Sequence, residues 1–380
     1  MNDRKDFFAD VRRLVVKVGS GVLTLDHGLN IDALTAISCQ ISRLIDDGIE
    51  VILVSSGAMA AGVRKIGLPR RPDETPQRQA VAAVGQATVI LEYERAFSRF
   101  GRKVAQILLT SDDLSNRKRY LNARNTLNTL LGWGIIPIIN ENDTVAVEEI
   151  TLGDNDNLGA MITILMDADL MVNLTDIDGL YDRDPRNDPE AQLIPLVTTF
   201  HKNLEDVASG LPGALGTGGM LSKIKAARKL TLAGIPMVIA KGLVEGILLE
   251  LFSGGQQGTF FVPKGGKLPS RKCWIASALK PKGSLVIDDG AENALVAKGK
   301  SLLPSGITNV TGEFGIGSPV EFVRGDGTPI GIGLVNYSAN DIRAIMGLKS
   351  SAIKARLNHK PYDEVIHRDN LAITAFCTIN

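Results

Sequence analysis

Residues 14–23 read LVVKVGSGVL, a strand-like apolar run that ends in a glycine-rich turn yet holds a lysine, Lys17, inside it. A Walker-type phosphate loop places its lysine after the glycines, at the mouth of a helix, so this is a different arrangement. A lysine within a strand is ordinarily an edge residue whose amine snorkels to water. Here the strand is central by composition, and Gly19 and Gly21 follow at once, so backbone amides can approach an anion. An ammonium just beneath that turn reaches phosphate oxygens.

Working outward, the same texture repeats. Apolar, β-branched runs stand at 50–56 (EVILVSS), 103–110 (KVAQILLT), 135–140 (IIPIIN), 170–176 (LMVNLTD) and 236–242 (PMVIAKG). Amphipathic or alanine-rich stretches separate them, several closing on glycine, a favourable left-handed cap. Strands that are apolar at nearly every position expect helices on both sheet faces. Repeated strand–helix–strand units imply parallel pairing with right-handed crossovers. The fold class read from residues 1–262 is therefore α/β, a doubly wound, mostly parallel sheet. Residues 263–281, rich in Pro, Gly and Lys at their start, read as a linker. From 282 to 380, short β segments punctuated by glycine predict a small β-barrel with one or two short helices.

Bulk composition narrows the function classes. The 380 residues carry 42 Lys and Arg against 42 Asp and Glu, and 282–380 is balanced too, ten against ten. Balanced charge gives no general electrostatic reason to bind nucleic acid or an anionic membrane. Cys39, Cys273 and Cys377 are far apart and form no metal or disulfide pattern, which suits a reducing compartment. The charged opening MNDRKDFFADVRR is unlike a signal peptide, and no apolar run approaches the ~18 residues that cross a bilayer. A cytoplasmic location is expected.

In open α/β sheets ligands bind at the carboxyl ends of strands, and here those ends are small, acidic or amide-bearing. SSGAMAAG (55–62) forms a strand-to-helix anion nest around Ser55 and Ser56, suited to a small carboxylate. LGTGGMLSK (215–223) puts Gly216, Gly218 and Gly219 before a helix, where free amides and the dipole favour phosphate, with Lys223 one turn inside. INENDT (139–144) and GDNDN (153–157) gather Asp143, Asp154, Asn155, Asp156 and Asn157. One or two serve as helix caps. The group as a whole can bind an ammonium, hold Mg²⁺ through water, or fix the two lysines by ion pairing. Thr175 and Asp176 end a strand and suit ribose or adenine contacts as well as an ordinary turn. No GxxxxGK[ST] and no GxGxxG after a strand occurs, and the four histidines lie outside these loops. That absence fits a nucleophile already ionised, since a carboxylate of pKa ~4.3 needs no general base at neutral pH.

Taken in order, VVKVGSGVL, VSSGAMAAG, INENDTVA, GDNDNL, LTDIDGLYDRDPR and GTGGMLSK resemble the amino-acid kinase family, in its members that phosphorylate L-glutamate; the C-terminal part resembles a PUA domain. The resemblance implies the amino-acid kinase fold and transfer of the ATP γ-phosphoryl group, with Mg²⁺, to the side-chain carboxylate of L-glutamate, opening proline biosynthesis. It implies that Lys17 contacts the ATP phosphates. Thr175, Asp176 and the segment Thr217, Gly218, Gly219, Met220, Leu221, Ser222 and Lys223 would bind ATP. Ser56, Asp143 and Asn155 would hold glutamate. Lys17 and Lys223 would stabilise the transferred group, Asp156 orienting both, with no direct metal ligand assigned. It further implies L-proline as a feedback inhibitor and a homo-oligomer. Gly21 and Ser222 depart from the usual Ser and Thr. A sibling kinase acting on aspartate, N-acetylglutamate, carbamate or a nucleoside monophosphate is the nearest rival. An RNA-binding PUA protein and a nicotinamide dehydrogenase follow, disfavoured by neutral charge and by the missing fingerprint.

Overall fold

The computed structural model describes residues 4–25, 28–145, 155–200, 219–263 and 265–373. The chain divides into two compact units, Met1–Lys267 and Leu268–Asn380.

Among the described residues the main sheet of the first unit has eight strands: β1 (Arg13–Val18), β2 (Glu50–Ser55), β3 (Lys103–Leu109), β4 (Ile135–Glu141), β5 (Leu170–Thr175), β6 (Leu196–Val197), β7 (Met237–Lys241) and β8 (Thr259–Phe261). Their spatial order is β3-β4-β2-β1-β5-β7-β8-β6. Every pair is parallel except β7 with β8. The chain leaves β1 toward β2 and returns to β5 on its other side, so the carboxyl end of β1 lies where the winding reverses. Ligands collect at such a switch point.

Alternation along β1 splits its side chains between the faces. Leu14, Val16 and Val18 enter one core with Leu34, Ile37 and Ile41 of helix α1 (Ile31–Asp46). Tyr93 and Phe97 of the long helix α3 (Thr75–Ser98) join the same cluster. Lys17 belongs to the opposite set, under helix α4 (Asn155–Leu165), where a side chain at Gly159 would come within 3.6 Å of the Lys17 Cβ. In register, Lys17 lies between Val54 of β2 and Asn173 of β5.

Helix α2 (Ala58–Ile66) begins at Gly57, whose φ of 102° suits only a residue without Cβ. It packs on α3 through two glycines. A methyl at Gly62 would stand 1.9 Å from the Val81 carbonyl oxygen, and one at Gly85 would stand 1.7 Å from that of Ala58.

The second unit holds β9 (Gly283–Ile287), β10 (Ile307–Gly312), β11 (Pro319–Val323), β12 (Pro329–Leu334) and β13 (Leu371–Ile373), in the order β10-β9-β11-β12-β13. Leu285, Val320, Phe322, Ile330 and Tyr337 fill its core with Ile342 of the helix Ala339–Ile345. Among the described residues the sheet does not close on itself. The stretch expected to be a linker carries the helix Ser270–Ala278, started by Pro269 and burying Cys273, Trp274 and Ile275. Only its Pro- and Gly-rich beginning matches linker composition; the apolar triplet after it needs a core. Among the described residues no helix is long and apolar enough to cross a membrane.

Gly62→Ala and Gly85→Ala should each destabilise the chain by at least about 2 kcal/mol, because their methyls meet backbone that cannot yield. Gly159→Ala, whose methyl meets the movable Cε of Met171 at 2.6 Å, should cost clearly less. Urea midpoints of the three variants check the ranking.

Candidate active site

Lys17 is only 4% exposed, and a buried ammonium without a counter-charge costs several kcal/mol. The fold supplies the counter-charge from above. Asp156 lies in the first turn of α4 and is wholly buried, and Gly159 on the same helical face lets α4 sit over Met171 of β5, next to Lys17. Lys17 Nζ pairs with Asp156 Oδ1. From the first turn of helix α5 (Met220–Leu232), Lys223 Nζ reaches Asp156 Oδ2 at 3.1 Å and Ser222 Oγ donates to the same oxygen at 2.6 Å. Asn173 Nδ2 donates to Oδ1 at 2.7 Å. Lys223 is 7% exposed. Burial pushes the Asp156 carboxyl up, but Lys17, Lys223 and their hydrogen bonds outweigh it and hold the group well below the usual carboxylate range.

Glycines and a helix start border this cluster. Gly19 N–H donates to the Leu174 carbonyl at 2.9 Å, turning the chain after β1, and a Cβ there would come within 3.6 Å of Lys17 Nζ. Gly219 caps α5 in an extended conformation without a side-chain hydrogen bond. Thr217 and Gly218 lie outside the described residues. Met220 is buried and Leu221 half-buried. At the end of β5, Thr175 Oγ1 donates to Asp176 Oδ1 at 3.0 Å, and Asp176 is exposed. A side chain at Gly21 would stand 2.9 Å from Asp176 Cγ, so glycine there keeps that carboxylate in place.

The neighbouring residue Asn155 serves a second pocket. Its Nδ2 reaches Ser56 Oγ at 2.8 Å, Asn140 Oδ1 at 3.1 Å and the Ser55 carbonyl at 3.2 Å. Asn140 donates to Gln86 Oε1 at 2.8 Å, and the Ser55 hydroxyl is 2.9 Å from that of Tyr93. Burial raises the Tyr93 hydroxyl above its ordinary range despite the Ser55 hydrogen bond, so it stays neutral. Asp143, three residues beyond Asn140, is half-buried and carries a carboxyl raised by burial, with Arg71 and Arg78 pulling the other way. Consecutive residues of one helical turn thus join two sites, Asn155 the amide-lined pocket and Asp156 the lysine pair.

A model of the amino acid kinase family matches residues 12–241, and one of the PUA domain matches residues 283–357. The chain is 50% identical over 374 residues to a glutamate 5-kinase of Syntrophus aciditrophicus, covering 98% of this chain and 97% of that protein. It is 49% identical to the glutamate 5-kinase of Geobacter sulfurreducens, covering 97% and 100%. That of Caldanaerobacter subterraneus subsp. tengcongensis is 48% identical, covering 95% and 97%. The chain belongs to the amino acid kinase family, in its glutamate 5-kinase branch.

In this amino acid kinase, four polar groups escape the motif reading. Asn173 interrupts an apolar strand beside Lys17 in register, a signal only once the strand pairing is known. Asn140 lies within a quoted motif but is not singled out by it. Gln86 and Tyr93 sit on α3, far from every glycine-rich loop. Ser222 keeps its hydroxyl on Asp156, so the exchange from the family's usual Thr preserves the donor.

Asp156→Asn leaves two buried ammoniums facing a neutral amide and should cost on the order of 3 kcal/mol at pH 7. The folded Asp156 titrates below its unfolded range, so its contribution is complete above about pH 4 and declines as pH falls toward the folded value. Denaturant titrations at pH 7 and pH 3 should therefore give a narrower wild-type-to-variant gap at pH 3. A gap that does not change with pH contradicts this.

Proposed function

We infer that the chain transfers the γ-phosphoryl group of ATP to the side-chain carboxylate of L-glutamate, yielding L-glutamyl 5-phosphate and ADP, the opening step of proline biosynthesis. The observation that carries the reading is the pair of ammoniums, Lys17 and Lys223, gathered on one buried carboxylate beside an amide-lined pocket.

The acceptor carboxylate is ionised at neutral pH, so no group need remove a proton from it. One of its oxygens forms the bond to the γ-phosphorus as the bond to the bridging β,γ-oxygen breaks, and the electron pair leaves on ADP. Negative charge spreads over the equatorial oxygens and the bridging oxygen in between, and positioning with charge neutralisation carries the catalysis. Lys17 and Lys223 supply that neutralisation from two directions. Asp156 fixes both without reaching the substrate, and Ser222 and Asn173 hold Asp156. The Gly19 turn and the entrance to α5 present backbone amides to the phosphates. Thr175 and Asp176, with the segment 217–223, bind the nucleotide.

Ser56 and Asn155 hold the glutamate, and Asp143 takes its ammonium. When bound with the nucleotide, Mg²⁺ would supply further charge neutralisation. Among the described residues no three His, Cys, Asp or Glu side chains gather as a metal site. The family resemblance also supports a cytoplasmic homo-oligomer under feedback by L-proline, which shares the amine and α-carboxylate of glutamate and would compete for the same pocket. The balanced charge of 282–380 supports no strong RNA affinity.

Lys17→Ala and Lys223→Ala should each lower glutamate-dependent ADP release by at least about 100-fold, the scale of losing one charge-stabilising donor. Their circular dichroism spectra should stay close to wild type. Undiminished turnover in either folded variant refutes the assignment.

A further inference from the structure

Lys17, Lys223 and Asp156 account for the reacting end of the acceptor, and Asn155 with Ser56 for its middle. An α-amino acid brings two further charges, an ammonium and an α-carboxylate, and recognising that zwitterion takes an anion and a cation side by side. Asp143 is the anion; its neighbourhood contains the cation.

Helix α3 runs along the acceptor pocket with one face turned to it. Arg78, Ala82 and Gln86 follow one another at four-residue intervals and so share that face. Gln86 is tied to the end of β4 by its 2.8 Å bond from Asn140, which in turn bonds Asn155. Two turns nearer the helix start, the same face presents Arg78, half-buried, whose charge acts on the Asp143 carboxyl. Arg71, more exposed, stands in the same group at the rim. The position is rigid, because α3 is pressed against α2 through Gly62 and Gly85, and α2 starts directly after Ser56.

We propose that Arg78 binds the α-carboxylate of the acceptor and so makes the enzyme select α-amino acids over simple ω-carboxylates. This rests on the glutamate reading above and adds to it the group that reads the far end of the substrate. A guanidinium offers five donors in a planar fork, enough to stay with its present partners and still clasp a carboxylate through two of them. An ammonium at Asp143 and a carboxylate at Arg78, joined by one carbon, then fix the acceptor's orientation and point its side chain toward Lys17.

The test compares L-glutamate with 4-aminobutyrate, which keeps the reacting carboxylate and the amine but lacks the α-carboxylate, in wild type, Arg78→Met and Arg78→Lys. Arg78→Met should lower kcat/KM for glutamate about 100-fold, chiefly through KM, as expected for losing a charge-assisted pair that the bound substrate shields from water. The KM for ATP should stay within about twofold, which also shows that the variant is folded. With 4-aminobutyrate, wild type and Arg78→Met should be equal, and Arg78→Lys should recover part of the glutamate activity. If turnover of 4-aminobutyrate is below detection, its inhibition constant against glutamate gives the same comparison. Equal losses on both acceptors, or no loss on glutamate, overturn the proposal. A wild-type enzyme that ignores glutamate but turns over another acceptor overturns the glutamate reading instead.

Discussion

One buried carboxylate between two ammoniums governs this molecule. Three buried charges where two helix starts meet a sheet are costly, and their mutual attraction offsets that cost only when geometry and additional hydrogen bonds are good. Much of the local architecture meets that condition. Gly159 lets α4 lie over Met171 of β5, Gly19 sets bare backbone beside the Lys17 ammonium, and Asn173 and Ser222 complete the carboxylate's hydrogen bonds. Such a cluster adds little net stability. Its value is that both cations are immobilised before a polyphosphate arrives, so little reorganisation is needed when charge develops.

The second consequence is coupling between the two halves of the site. Asn155 and Asp156 are neighbours in one helical turn, so whatever positions α4 positions the acceptor pocket and the phosphoryl site together. Tyr93 and Gln86 extend this support into α3, bonding to Ser55 and Asn140 rather than to the residues named by motif. The acceptor pocket is thus held by a helix whose own seat depends on two glycines packed against backbone.

These relations explain what was legible in the sequence. Lys17 stood out because an apolar run with glycines directly after it has no ordinary use for a lysine, and Asp156 and Lys223 because they open helices that follow segments rich in glycine or amides. The parallel sheet was legible because strands covered on both faces, such as β5, are apolar almost throughout. Asn173 was not, since one amide in a strand acquires meaning only through the register that sets it beside Lys17. Gln86 and Tyr93 belong to a helix whose pattern reads as packing, and their polar tips matter only after tertiary folding. The helix at Ser270–Ala278 was hidden by the Pro- and Gly-rich residues before it, although Cys273, Trp274 and Ile275 carry its core signal.

The most direct test of the central claim is a crystal structure with ADP, glutamate and a planar fluoride mimic of the migrating phosphoryl group. The account predicts both Lys17 Nζ and Lys223 Nζ within ~3 Å of that one mimic, with Asp156 still paired to both. A mimic contacted by neither lysine, or by only one while the other points away from the nucleotide, contradicts it.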